Sequence, residues 1–174
     1  MNQGSREAFE AFYEGHDPYD PKDKPFLEYS NYIGQRTKAL ARGRLARLRS
    51  SGRVLEIGFG SHPQIELLEA DAGLEWFGVE FSLKQIRRAQ QSHPGARFTL
   101  GSGNELPFPS GAFLAIMSFE VIEHVPEPEH MMAEIARVLA RHRDAAAIVS
   151  TPNNSALLNK AVLEGLYRVA GKFL

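Results

Sequence analysis

Three groups of residues have types and spacings that could do chemistry. The first is Val54-Leu55-Glu56-Ile57-Gly58-Phe59-Gly60-Ser61-His62-Pro63, an apolar run closed by two glycines and a proline. Gly58 and Gly60 allow a tight turn and a close approach of backbone to a ligand. Pro63 suits the first position of a helix, whose free N–H groups and positive dipole end would hold a carboxylate or phosphate. A purely structural strand-to-helix turn uses the same glycines. The second group is Trp76-Phe77-Gly78-Val79-Glu80-Phe81-Ser82. Glu80 falls roughly twenty residues after the glycine turn, the spacing of a carboxylate that binds a ribose hydroxyl pair, and Phe81 would then pack on a base. The third is Glu120, Glu123 and His124. Two carboxylates and an imidazole in one turn of chain fit three roles: a site for a divalent cation such as Mg²⁺, a general base at His124, or a loop that only holds itself and caps a helix starting near Glu127.

These groups need a scaffold, and the pattern of the chain supplies one. After Gly52, strands and helices alternate. Strands are expected at Arg53–Ile57, Trp76–Val79, Arg97–Leu100, Phe113–Phe119 and Ala145–Ser150. Helices are expected at Pro63–Ala72, Ser82–Gln91 with Ser82 as N-cap, Glu129–Ala140 and Ser155–Ala170. Such alternation predicts an α/β fold, a mainly parallel sheet covered on both faces. Ligands of open sheets of this kind bind beyond the carboxyl ends of the strands, where all three groups fall. Before Gly52 the reading is a helical segment over residues 1–50, distinct from a core over 51–174. It contains a short helix at Ser5–Glu14, a proline-rich loop at Gly15–Pro25 and a second helix at Phe26–Arg49. The second helix carries Arg36, Lys38, Arg42, Arg44, Arg47 and Arg49 interleaved with Leu40, Leu45 and Leu48. The expectation is a solvated basic face with the leucines on the core; a face for RNA or another anion is the alternative.

Composition sets bounds. At 174 residues the chain fits one domain, and its 43% hydrophobic and 24% charged residues are ordinary for a globular protein. A net charge of −1 argues against a general nucleic-acid binder but leaves room for a local basic patch. Without cysteine there is no disulfide framework and no thiolate metal site. No signal-peptide core and no apolar run long enough to span a bilayer is present, so the expected location is the cytoplasm.

The glycine turn also separates two nucleoside ligands. A dinucleotide fingerprint wants a third glycine where Pro63 stands, and no pyrophosphate cradle is evident. The shorter turn suits the carboxylate of a methionine, which favours S-adenosylmethionine over a nicotinamide. Val54-Leu55-Glu56-Ile57-Gly58-Phe59-Gly60, Gly78-Val79-Glu80-Phe81-Ser82, Glu105-Leu106-Pro107-Phe108-Pro109, Phe119-Glu120-Val121-Ile122-Glu123-His124-Val125 and Glu134-Ile135-Ala136-Arg137-Val138-Leu139 follow one another as the successive motifs of a family do. In these the chain resembles the class I S-adenosylmethionine-dependent methyltransferases over about a hundred residues, nearest to the small-molecule branch that includes ubiquinone-biosynthesis O-methyltransferases. The resemblance implies a Rossmann-like three-layer sandwich with sheet order 3-2-1-4-5 and adenine near Ser102, Gly103 and Asn104. The donor-binding set it implies is Glu56, Gly58, Gly60, Glu80, Phe81, Ser102, Gly103, Asn104 and Phe119. Three positions depart from the family: His62 replaces a third glycine, Ser102 an acidic adenine contact, and Arg141-His142-Arg143-Asp144 a glycine-rich turn. The family's sheet also continues after the fifth strand with strands that this chain lacks. The expectation is therefore a fragment, or a second copy or partner chain covering the open edge.

The resulting functional expectation is methyl transfer to a small-molecule acceptor, at oxygen, with His124 as base. The spacing of Glu120, Glu123 and His124 also resembles a magnesium site of some ubiquinone-pathway methyltransferases and of small-RNA 2′-O-methyltransferases, so RNA 2′-O-methylation through a Glu/Glu/His metal site is a second reading. A non-catalytic binding module is a third, from the substituted cofactor positions. A nicotinamide dehydrogenase gives the fourth-strand block no role.

Overall fold

The computed structural model describes residues 24–48, 51–68 and 73–151. The expected helices at Ser5–Glu14 and Ser155–Ala170 and the loop at 15–23 lie outside the described residues. Along the chain come α1 (Lys24–Leu45), β1 (Gly52–Ile57), a 3₁₀ turn (Ile65–Leu67), β2 (Leu74–Glu80), α2 (Leu83–Ser92), β3 (Arg97–Leu100), β4 (Ala115–Phe119), a second 3₁₀ turn (Ile122–His124), α3 (Pro128–Val138) and β5 (Ala146–Ser150). The five strands form one sheet in the order β3-β2-β1-β4-β5, and every neighbouring pair is parallel. This is the order that the resemblance implied.

Side-chain alternation sorts the core into two layers. Val54, Trp76, Ala115 and Met117 face Ala41 and Leu45 of α1 and Ile86 and Ala89 of α2. Leu55, Ile57, Val79 and Ile116 face Met131, Ile135 and Val138 of α3. Central strands covered on both sides must be apolar throughout, which is why β1 and β4 read as runs rather than alternations. Among the described residues no helix is long and apolar enough to cross a membrane.

Four expectations need correction. Pro63–Ala72 is not a regular helix where it is described: only Ile65–Leu67 turns, as 3₁₀, and Leu68 is already extended at ψ 126°. The Gln64 N–H is taken by the carboxylate of Glu56 at 2.8 Å. On α1, Leu40 does not join the core stripe and is 74% exposed. The helix is phased instead by Ala41 and Leu45, one turn apart and both buried. The helix also stops at Leu45 rather than Arg49, because Arg47 and Leu48 bond back three residues instead of four. Finally, β4 starts at Ala115. The Phe113 N–H donates to Val138 O at 3.0 Å and Phe113 O accepts from the Ala140 N–H at 2.7 Å, tying Phe113 to the end of α3.

One salt bridge fixes the loop between β3 and β4. Arg137 donates to both carboxylate oxygens of Glu134 and to the carbonyls of Phe108 (2.8 Å) and Leu106 (3.0 Å). Glu134 in turn accepts the Leu106 N–H at 2.7 Å. A planar fork with five donors can do this; an ammonium cannot.

Gly78 shows how tightly the α1–α2 layer is closed. A Cβ there would lie 2.2 Å from Trp76 Cη2 and 2.7 Å from Phe59 Cδ1. Phe59, Trp76 and Phe98 meet over it with centroids 5.1–5.7 Å apart. Replacement of Gly78 by alanine is expected to destabilise the fold by about 2 kcal/mol, as overpacking does. A urea midpoint equal to that of the parent would show that these rings are not packed as described.

Candidate donor-binding site

The strand ends converge on Glu80. Gly58 and Gly60 both hold positive φ (71° and 57°), so the chain reverses sharply after β1. The Gly58 N–H donates to Val79 O at 2.8 Å. A Cβ on Gly58 would lie 2.5 Å from Val121 Cγ2, so this glycine is also demanded by the loop after β4. The Gly60 N–H donates to Glu80 Oε2 at 2.9 Å, and the Ser82 N–H donates to Glu80 Oε1 at 2.9 Å. The main-chain oxygen of Glu80 accepts the Gly101 N–H at 3.0 Å. One residue thus joins the turns that follow β1, β2 and β3. Each carboxylate oxygen keeps acceptor capacity, and the space beyond Gly60 is open, with nothing within 4 Å of where its Cβ would be. A vicinal diol is the group such a carboxylate would take. Burial raises the Glu80 pKa, against the pull of the Ser82, Gly60 and Phe81 N–H groups.

Ser82 caps α2, its hydroxyl accepting the Gln85 N–H at 3.4 Å, as expected. Beyond β3, Ser102 Oγ accepts the Asn104 N–H at 3.2 Å, which sets the turn. Asn104 Oδ1 is buried and has no hydrogen-bond partner. A buried orphan acceptor is rare, and the exocyclic amine of an adenine would satisfy it. A Cβ on Gly103 would press on Met131 Sδ and Ile57 Cγ2 at 3.3–3.4 Å, so the backbone here sits hard on the core. These features fit an adenosyl group held along the ends of β1, β2 and β3.

Glu56 does not reach the open side of this turn. It is 2% exposed on the α1–α2 side of the sheet. Its Oε2 accepts from the Gln64 N–H (2.8 Å) and from Trp76 Nε1–H (3.0 Å). The backbone N–H expected to hold a ligand's carboxylate therefore holds this internal one. Sequence reasoning missed Trp76 and Gln64 as its partners, because nothing in their spacing marks them.

At the end of β4 the three polar residues separate. Glu120 has φ 56°, the left-handed region that a glutamate occupies at a cost. Its carboxylate accepts the Ser150 hydroxyl at 2.7 Å, while its N–H donates to Ser150 O at 3.0 Å, so it is spent on fastening β4 to β5. Glu123 is mostly buried, and neither oxygen has a hydrogen bond of normal geometry. Burial raises its pKa and the neighbouring Glu120 adds to this, while its own N–H and the Thr151 hydroxyl pull the other way. His124 is half-exposed, with Nε2 3.9 Å from Glu123 Oε1. Partial burial lowers its pKa, with Glu120 opposing, which favours the neutral ring. The expectation of a Mg²⁺ site is not met: among the described residues no group of three or more His, Asp or Glu side chains could hold a metal ion. Glu120 is instead engaged through its Oε1, which accepts the Ser150 hydroxyl.

Residues 55–142 match a family model described as methyltransferase domain. The chain belongs to the class I S-adenosylmethionine-dependent methyltransferases. It is 31% identical over 130 residues to a protein of Mycolicibacterium smegmatis named as a probable S-adenosylmethionine-dependent methyltransferase, covering 74% of this chain and 49% of that one. It is 33% identical over 86 residues to the demethylmenaquinone methyltransferase of Renibacterium salmoninarum, covering 49% of this chain and 36% of the relative. In fold it resembles the PH0226 protein of Pyrococcus horikoshii, with a TM-score of 0.61 at 24% identity over 87% of this chain and 70% of the other. The methyltransferase chain described here spans between 26% and 49% of the length of curated relatives that it matches.

Glu56 yields a prediction on stability. Burial, against the Gln64 and Trp76 hydrogen bonds, raises its pKa from 4.5 to about 7. Between those values the folded state holds the proton more tightly than the unfolded state, so stability falls as pH rises from about 4.5 to about 7 and levels off above. Glu56→Gln keeps an acceptor for both donors and should remove that slope. Urea midpoints of the parent and the variant at about pH 5 and about pH 8 check it; parallel pH dependence of the two would contradict the assignment.

Proposed function

We propose that this domain moves the methyl group of S-adenosylmethionine to an oxygen of a small-molecule acceptor. The observation that carries the reading is the Glu80 carboxylate, bonded to the Gly60 and Ser82 N–H groups and facing open space beside Gly60. In that frame Glu80 takes the ribose hydroxyls, Phe81 packs on the adenine, Gly60 lets the donor lie close to the backbone, and Gly58, Gly103 and Phe119 frame it at the strand ends. Asn104 and Ser102 offer acceptors to the base. Glu56 acts from beneath, by fixing the turn. Relatives named for acting on demethylmenaquinone and 27-O-demethylrifamycin SV support a small-molecule acceptor.

The sulfonium donor is already activated, so the protein's share is positioning and exclusion of water. The acceptor oxygen attacks the methyl carbon in line, the C–S bond breaks, and S-adenosylhomocysteine departs. The acceptor's proton leaves to a base. His124 supplies it, because partial burial keeps the ring neutral near pH 7. Mg²⁺ has no part in this scheme.

Calorimetric titration with S-adenosylhomocysteine tests the donor site. The parent should bind, and Glu80→Ala should bind at least about tenfold more weakly, the cost of losing charge-assisted hydrogen bonds. Equal affinities would remove the ribose assignment. With methyl-labelled donor and a series of hydroquinones, His124→Ala should lose about a hundredfold in rate while holding S-adenosylhomocysteine as tightly as the parent. Undiminished transfer by that variant would remove His124 from the chemistry.

A further inference from the structure

The two helical layers differ in charge. From Tyr29 to Leu55 the chain has no Asp or Glu, yet residues 36–53 carry seven Lys or Arg; the overall net of −1 therefore leaves −8 elsewhere. In three dimensions this becomes a face. α1 and α2 lie on the same side of the sheet, α1 over β4 and beside the first 3₁₀ turn, α2 over β2 and β3, and Ala41, Leu45, Ile86 and Ala89 belong to the one core layer. Their outer surface exposes Arg42, Arg44, Arg47, Lys84, Arg87 and Arg88. α2 has no acidic residue, and Glu66 in the intervening 3₁₀ turn is the exposed acid of this layer among the described side chains. The opposite side is mixed at its surface, with Glu105, Glu127 and Glu129 exposed alongside Arg53, Arg97, Arg141 and Arg143. Two of the three large apolar side chains that are most exposed belong to the basic layer: Leu40, at 74%, and Leu83, at 47%. Leu40, Arg44 and Arg47 lie at i, i+4 and i+7, on one flank of the helix.

We propose that the α1–α2 layer docks the domain on an anionic lipid bilayer. A flat anionic surface engages one face of a molecule, with attraction felt over about a Debye length. Arginines place their stems along the acyl boundary and their guanidinium groups among the phosphates, and exposed leucines enter between them. Nucleic acid offers the same phosphates, but among the described side chains neither helix exposes an aromatic ring for base stacking. The exposed leucines favour the bilayer. This inference is independent of methyl transfer.

Co-sedimentation of the full 174-residue chain with vesicles tests it. Vesicles of phosphatidylcholine with about one-third phosphatidylglycerol should carry the protein down at about 50 mM salt, and vesicles of phosphatidylcholine alone should not. Binding should fade by about 300 mM salt. Arg44→Glu with Arg47→Glu should weaken it at least about tenfold, and Arg87→Glu with Arg88→Glu similarly, since each basic residue near the surface contributes about a fivefold factor. Leu40→Asp should weaken it severalfold. All these positions are exposed, and thermal melts equal to the parent's confirm that the variants are folded. Equal sedimentation with both vesicle types, or variants that bind as the parent does, would overturn the proposal. So would release from the vesicles by polyuridylate at equal phosphate concentration, which would assign the face to RNA.

Discussion

The carboxylate of Glu80 joins two turns that would otherwise be free to part. The Gly60 N–H on one oxygen and the Ser82 N–H on the other tie the end of β1 to the end of β2, and the residue's own carbonyl ties both to the start of the β3 loop. Parallel strands give no help here, because each ends in its own loop and the ladder stops before it. Burial of an acid among backbone donors is what makes the edge of the sheet a fixed surface. A ligand that bonds to this carboxylate meets an acceptor already aimed, with little further ordering to be done.

A second acid supports the same edge from below. Glu56 sits inside the α1–α2 layer and captures the Gln64 N–H and the indole N–H of Trp76. That capture fixes the chain just after the glycine turn. It also anchors the Trp76 ring beneath Phe59, the residue between the two glycines. The two glutamates therefore divide the work: one holds the turns together, the other holds them down. The pKa of each is raised by burial, the electrostatic cost of placing a carboxylate where it can organise backbone.

The far end of β4 is organised differently. Glu120 accepts a strained backbone to reach Ser150, which leaves Glu123 as a buried acid with no good partner and His124 as a half-exposed neutral imidazole.

Much of this was legible in the sequence. The positions of the five strands, the Ser82 cap, the glycine turn and the spacing to Glu80 are local signals, set by side-chain period and by the conformations open to glycine and serine. Sheet order was implied by resemblance, through the succession of motifs. Competition among distant groups for the same partner was not legible. Whether Glu56 would face a ligand or bond to the Gln64 N–H, whether Leu40 or Ala41 would face the sheet, and whether Glu120 would bond to Ser150 were decided by groups brought near only by the fold. Those choices depend on which atoms the folded chain brings within hydrogen-bond reach. The same is true of the charge of the α1–α2 face: the residues are written in two separate helices, and only their packing on one side of the sheet joins them.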